Sequence, residues 1–134
     1  MIRARNYIQR TPFVTKPRVV GSRRWLIAEL DYATSRKVRE RDKVCVTCGS
    51  RVRLECSHFY SRRYLATRFD LTNCNAMCHE CNMRHNFNPF PYARYMQSKY
   101  GEDGLANLNA KRMALIKVTD EELRELLAEY RERQ

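Results

Sequence analysis

No apolar run in this chain approaches the ~20 residues that a bilayer-spanning helix needs, so a helical membrane protein is excluded. The opening segment, MIRARNYIQRTPF, lacks the apolar centre of a secretory signal. Both absences predict a cytoplasmic protein with reduced thiols and no membrane partner. There is no internal repeat and no low-complexity tract, which excludes solenoids and linker-like chains. Acidic residues are missing altogether from positions 1–24. Proline and glycine number only four each, so each marks a particular break in the chain.

What is present is positive charge and cysteine. The 134 residues fit one domain with extensions, and 26 Lys plus Arg against 15 Asp plus Glu leave a net charge of +11. That excess points to a polyanionic partner, above all nucleic acid; the alternative is a soluble basic protein without one. Residues 1–24 carry Arg3, Arg5, Arg10, Lys16, Arg18, Arg23 and Arg24. With Pro12 and Pro17 among them, they read as a basic arm that orders on nucleic acid, or as a plain disordered terminus.

The rest, 25–134, reads as the folded domain. No Gly or Pro falls between Ser22 and Arg41, and Leu26, Leu30, Ala33 and Val38 recur at helical spacing. This predicts a helix over 25–41 with Ser22 as a candidate N-cap. Residues 44–57, VCVTCGSRVRLECS, read as short strands around a tight turn at Gly49. A strand end, a basic loop and a second strand or turn follow over 58–75, and AMCHECNMRHNF starts a short helix. Together 44–90 form the predicted core.

Beyond it, Pro89 and Pro91 break the chain, and 91–134 are predicted helical. YARYMQSKYG ends at Gly101. GLANLNAKRMALI puts Leu105, Leu108 and either Met113 or Arg112 on one face. TDEELRELLAEY opens with a capping box of Thr119 and Glu122, and Leu123, Leu126, Leu127 and Tyr130 form an apolar stripe. Residues 119–134 hold six acids against three arginines, so this tail is not the nucleic-acid face; its stripe serves the core or a dimer contact.

Of the six cysteines, four form two pairs, Cys45-x-x-Cys48 and Cys78-x-x-Cys81, 29 residues apart. Each pair grips a metal from one turn, and two turns close a tetrahedral four-thiolate site. Thiolate ligands select zinc over magnesium or calcium. With no open coordination position, this one zinc per chain is structural. Cys56 and Cys74 lack pair spacing and read as small buried apolar residues near the core or, alternatively, as cysteines with a redox role. His79, between two ligands, reads as solvent-facing.

His58 follows the strand RLECS and precedes the basic stretch FYSRRYLATR; Asn73 comes fifteen residues later, and Asn82 directly follows Cys81. Alone, each has an ordinary reading: a structural histidine, and turn or cap asparagines. The order resembles the HNH, or His-Me finger, nucleases, whose two strands and helix wrap one divalent metal. CHECN looks like the arrangement in members where four cysteines brace that unit, as in phage recombination endonuclease VII. The stretches ELDYATSRKVRERD, CVTCG, SHFYSR, RFDLTNCNAMCHECN and YARYMQSKYGEDGL…TDEELRELLAEYR are similar to the phage NinG/Rap family of recombination nucleases, over roughly residues 25–134.

The resemblance implies an α+β fold: a zinc-braced ββα-metal core with flanking helices. It implies a metal-dependent endodeoxyribonuclease that cuts branched recombination intermediates such as Holliday junctions and D-loops. His58 would activate water, Asn73 would brace its loop, and Asn82 would bind a catalytic Mg²⁺ or Mn²⁺. The expected products carry 5′-phosphate and 3′-hydroxyl ends. Arg62, Arg63 and Arg68 on the intervening loop would contact phosphates; otherwise they are a solvated face. Ser57 stands where many HNH nucleases have an Asp metal ligand. The metal shell is then Asn82 with water and phosphate, or includes Glu55 or Asp70. Asn88 matches a recurring family Asn, and His85 has no counterpart. Two opposed cuts on a symmetric junction imply a homodimer, with the terminal helices as a candidate contact. The competing readings are a less selective HNH nicking or restriction-type enzyme, and a non-catalytic zinc-ribbon accessory protein that binds DNA.

Overall fold

The computed structural model describes residues 17–132, so most of the predicted basic arm lies outside the described residues. Five helices and one two-stranded sheet follow in the order α1 (Arg23–Asp42), β1 (Leu54–His58), α2 (Leu65–Arg68), β2 (Cys74–Cys78), α3 (His79–His85), α4 (Phe90–Met113) and α5 (Asp120–Glu132). The class is α+β. No described helix is long and apolar enough to cross a membrane.

Helix α1 starts two residues before the expected boundary, so Arg23 and Arg24 belong to it. Ser22 caps it: its hydroxyl accepts from the Trp25 amide, one of the donors a helix N-terminus leaves without an intrahelical acceptor. Leu26, Leu30, Ala33 and Val38 are buried along one face, at the spacing read from the sequence. The helix stops at Lys43, which adopts a left-handed conformation (φ 61°) and returns its amide to the Arg39 carbonyl.

Of the short strands expected around the Gly49 turn over 44–57, only the second forms, as Leu54–His58. The preceding residues close on themselves. The Cys45 amide donates to the Ser50 carbonyl and the Gly49 amide to the Cys45 carbonyl. Gly49 (φ 78°) supplies the left-handed turn between them, and Arg53 (φ 54°) a second reversal just before β1.

Strands β1 and β2 pair antiparallel, with Leu54 opposite Cys78, Cys56 opposite Ala76 and His58 opposite Cys74. Both faces are covered. On one, Val38 of α1 packs against Cys74 and Ala76. On the other, Tyr92 and Met96 of α4 are buried with Met77. The Tyr92 hydroxyl donates to the Ser57 carbonyl, and the Asn75 amide donates to the Tyr92 hydroxyl. Helix α3 follows β2 directly, with Cys78 as its N-cap.

Helix α4 is interrupted at Gly101 (φ 68°, ψ −178°), where the sequence predicts the end of one helix and the start of another. Leu108 is buried, whereas Met113 is exposed. The Arg112 guanidinium lies 4.5 Å from the Tyr60 ring centre and 4.8 Å from that of Tyr64, tying the loop after β1 to the end of α4.

The capping box on α5 forms: the Thr119 amide donates to Glu122, and the Glu122 amide to the Thr119 hydroxyl. Its stripe resolves as core. Leu123, Leu127 and Tyr130 are buried against Leu26, Leu30, Ala33 and Phe69, with Leu126 partly buried beside them. The Tyr130 hydroxyl donates to the Phe69 carbonyl. The α5 stripe therefore serves the core.

Truncating Leu123, almost wholly buried between α5 and α1, tests this packing. Leu123→Ala should destabilise the chain by about 2–5 kcal/mol in denaturant unfolding. An unchanged midpoint would mean that α5 does not belong to the core.

Candidate functional site

Two turns bring the paired cysteines together. Cys45 and Cys48 lie on the knuckle closed by Gly49; Cys78 ends β2 and Cys81 lies in α3. The Val46 amide donates to the Ala76 carbonyl, fixing the knuckle to the strand. Cys48 Sγ and Cys78 Sγ are 3.7 Å apart, and all four sulfurs lie within 4.8 Å of one another. Two sulfurs at ~2.3 Å from one tetrahedral zinc are about 3.8 Å apart. The four thiols could therefore hold a zinc ion.

Neighbouring thiols and amides shift their proton affinities in opposite directions. Burial pushes the Cys45 thiol up, but the Thr47 hydroxyl and the amides of Cys78, Cys48 and Thr47 more than offset this and bring it to about 6. The Cys81 amide favours the Cys78 thiolate, yet burial, the Cys81 and Cys48 thiols and the Cys45 charge push Cys78 up to about 12. A metal at this position would hold all four as thiolates, because thiolate is the ligating form.

Across the hairpin, His58, Arg62 and Asn82 line one cleft of about 440 Å³, together with Cys56, Phe59 and His85. His58 Nε2 lies 2.8 Å from the Arg68 carbonyl oxygen. A carbonyl only accepts, so Nε2 carries the proton and Nδ1 keeps the lone pair. Burial lowers the His58 pKa, and the positive charges of Arg62 and Arg68 act in the same direction; the Arg68 carbonyl and Asp31 oppose them without reversing the shift. The ring is therefore neutral near pH 7, with a free acceptor nitrogen.

Asn73 is fully buried beneath the loop. Its Oδ1 accepts from the Tyr60 amide at 2.8 Å, and its Nδ2 donates to the Tyr60 and Thr67 carbonyls, both at 3.1 Å. Asn82, one turn into α3, donates through Nδ2 to Glu55 at 3.2 Å. Its Oδ1 has no hydrogen-bond partner among the described residues. Glu55 also receives His79 at 3.1 Å, so His79 is half-exposed and paired rather than simply solvent-facing. Burial works to raise the Glu55 pKa, but the bonds from His79 and Asn82 lower it overall. Glu55 is thus held beside Asn82 and borders the neighbouring cleft with His58 and Arg62. Asp70 points elsewhere, to Lys111 at 2.6 Å. Ser57 is buried, and its hydroxyl has no hydrogen-bond partner among the described residues.

The three loop arginines part company. Arg68 is locked in a two-pronged bond to Asp31 at 2.6 and 2.9 Å, with its side chain 20% exposed. Arg62 makes a single bond to Asp31 at 3.0 Å and is 57% exposed. Arg63 borders a different groove, beside Arg23 and Arg112. His85 stacks on Phe59 and meets Tyr92 edge-on, leaving a buried Nδ1 without a partner. Asn88 sits in the α3–α4 connection, where its side chain accepts from the Phe90 amide.

Cys56 and Cys74, set aside in the sequence as spare apolar residues, stand with His58: their sulfurs and a ring nitrogen all lie within 4.8 Å of one another. The Cys74 thiol donates to the Arg68 carbonyl at 3.3 Å; the nearness of the two thiols lowers the Cys56 pKa against the effect of burial and, with burial, raises that of Cys74. The signal was available in the strand alternation, which places residues 56 and 58 on one face.

Residues 3–134 match the protein family described as bacteriophage lambda NinG protein. No curated protein and no solved structure matches the chain.

One zinc per chain should survive dialysis, and Cys48→Ser or Cys78→Ser should each release it, by elemental analysis. Because protons compete for the thiolates, zinc affinity should fall as pH is lowered from about 8 to about 6. Affinity independent of pH in a chelator competition would exclude thiolate ligation.

Proposed function

Because the chain belongs to the bacteriophage lambda NinG family, and is thereby a phage recombination-associated protein, we propose that it is a metal-dependent endodeoxyribonuclease of the HNH, or His-Me finger, kind acting on branched DNA. The observation that carries this reading is the cleft shared by His58, Asn82 and Arg62.

Within it, His58 takes a proton from water at Nδ1. Its Nε2–H stays on the Arg68 carbonyl, which orients the ring and stabilises the imidazolium that forms. Asn73 holds the backbone at Tyr60 and Thr67, so the loop bearing Arg62 keeps its position relative to His58. Asn82 Oδ1 and the Glu55 carboxylate are hard oxygen donors that suit Mg²⁺ or Mn²⁺. When bound, such a cation would neutralise charge on the attacked phosphate and on the leaving 3′ oxygen. Arg62, exposed and singly bonded, can exchange Asp31 for a phosphate; Arg68, doubly bonded and more buried, serves the loop instead. Products with 5′-phosphate and 3′-hydroxyl ends follow from this attack.

The branched character of the DNA rests on the family's place in recombination; the chain's net charge argues only for a polyanion. A symmetric junction takes two opposed cuts, which calls for a homodimer, with the terminal helices as its candidate contact.

Purified chain with Mg²⁺ or Mn²⁺ should cut a labelled four-way junction in preference to a linear duplex of equal length. His58→Ala should slow cleavage by about 10²–10⁴-fold; a fully active His58→Ala protein sinks the base assignment, and equal cutting of both substrates sinks the preference for branches. Only neutral His58 accepts a proton, and its pKa is lowered. Activity should accordingly persist on acidification past the usual histidine midpoint of ~6.5. A profile centred at or above that value contradicts the buried base. Arg62→Ala should reduce the slope of log affinity against log salt by about 0.9, as loss of one phosphate contact requires; an unchanged slope removes Arg62 from the interface.

A further inference from the structure

Cys56, His58 and Cys74 meet on one face of the hairpin. Residues 56 and 58 alternate onto the same side of β1, and the register sets Cys74 opposite His58. Ala76 lies opposite Cys56, so a methyl group rather than a larger side chain borders the cluster. His58 Nε2 and the Cys74 thiol both donate to the Arg68 carbonyl, at 2.8 and 3.3 Å, which places that nitrogen beside that sulfur. Cys74 is fully buried, but Cys56 and His58 line the clefts on both sides of β1, so an ion has a route in from solvent.

We propose that Cys56, Cys74 and His58 Nε2 form a second metal site, selective for a thiophilic divalent cation of the zinc class and inhibitory to the nuclease. Two sulfurs and one imidazole nitrogen select zinc or cadmium and reject the hard Mg²⁺ and Mn²⁺. Zinc–sulfur and zinc–nitrogen bonds of ~2.3 and ~2.0 Å require donors about 3.5–3.8 Å apart. One ring nitrogen of His58 and the two sulfurs already lie within 4.8 Å of one another; to reach that spacing they close by about 1 Å, and the imidazole and the Cys74 thiol turn off the Arg68 carbonyl that both now bond. A cleft water takes the fourth position.

The proton balance gives the consequence. Binding releases the two thiol protons to solvent. The ring proton leaves Nε2, which becomes the ligand, and the imidazole stays neutral by carrying a proton on Nδ1 instead. The lone pair that accepts a proton from water is thereby replaced by an N–H. The chain would hold two metals of opposite effect: one in the four-cysteine cluster that braces the fold, and one that disables the base. The effect on cleavage rests on the nuclease reading above; the metal site does not.

The test uses the full chain carrying its first zinc, kept reduced without added thiol. Titration with Zn²⁺ against a chromophoric chelator should show one further equivalent bound. The ¹⁵N spectrum of His58 should change from the Nε2–H to the Nδ1–H tautomer at that equivalent. Cys56→Ser and Cys74→Ala should each lose the second equivalent and keep the first. Cys56, half-buried, tolerates the change if the buried Cys74 does not, and circular dichroism verifies the fold.

In the Mg²⁺-dependent cleavage assay, the second equivalent should abolish cutting by the wild-type chain and leave Cys56→Ser active. A second equivalent with the tautomer change in a chain that cuts no DNA supports the metal site while removing the nuclease. No second equivalent in the wild type, or its survival in Cys56→Ser, overturns the site. Equal inhibition of wild type and Cys56→Ser overturns its control of the base.

Discussion

The short ladder between Leu54–His58 and Cys74–Cys78 carries the thiol cluster at one end and His58 at the other, and the remaining elements keep it in register. A two-stranded hairpin is marginal by itself in water. A slip of one residue would turn His58 to the opposite face and separate it from the cleft it shares with Asn82. Three clamps oppose that slip. At one end the knuckle bonds to the ladder through Val46 and Ala76. On one face the Tyr92 hydroxyl joins the Ser57 carbonyl to the Asn75 amide, a polar clamp buried in an apolar layer. Beside β2, Asp42 accepts the Ala76 amide and Arg41 donates to the Cys74 carbonyl, which secures the end of α1 to the strand.

What could be read from the sequence was local. The Ser22 cap, the break at Gly101 and the Thr119–Glu122 box each depend on residues a few positions apart, and each forms. The paired cysteines were legible for the same reason. The Gly49 turn was legible and forms; the short strand expected before it does not, because alternating valines mimic a strand while the amide bonds around Gly49 close residues 45–50 into a knuckle. The destination of the α5 stripe could not be read, since an apolar face looks the same whether it meets α1 or a second chain. Arg68 differs from Arg62 only through Asp31, 37 positions away from Arg68, and no local pattern carries that information.

The candidate site shows how equal charges come to unequal duties. Burial works to raise the Asp31 pKa, but Arg68 and Arg62 more than offset it, so the carboxylate stays ionised between them. The same pairing that commits Arg68 to the loop leaves Arg62 on the cleft wall with one prong and much of its surface free. Glu55 does comparable work on the far side, where His79 and Asn82 converge on a single carboxylate. His79 therefore has a place in the site without reaching the thiol cluster as a ligand.

Cys78 is at once the last residue of β2, the N-cap of α3 and a member of the thiol cluster. At that one position the backbone changes from an extended to a helical repeat, and Asn82 stands one turn along the new direction. The cluster thus acts as a locked elbow, with the strand as upper arm and α3 as forearm. Unlocking it would leave His58 and Asn82 chemically intact but free the angle between them. The aim of the site is then a property of the joint, as distinct from the reach of either side chain.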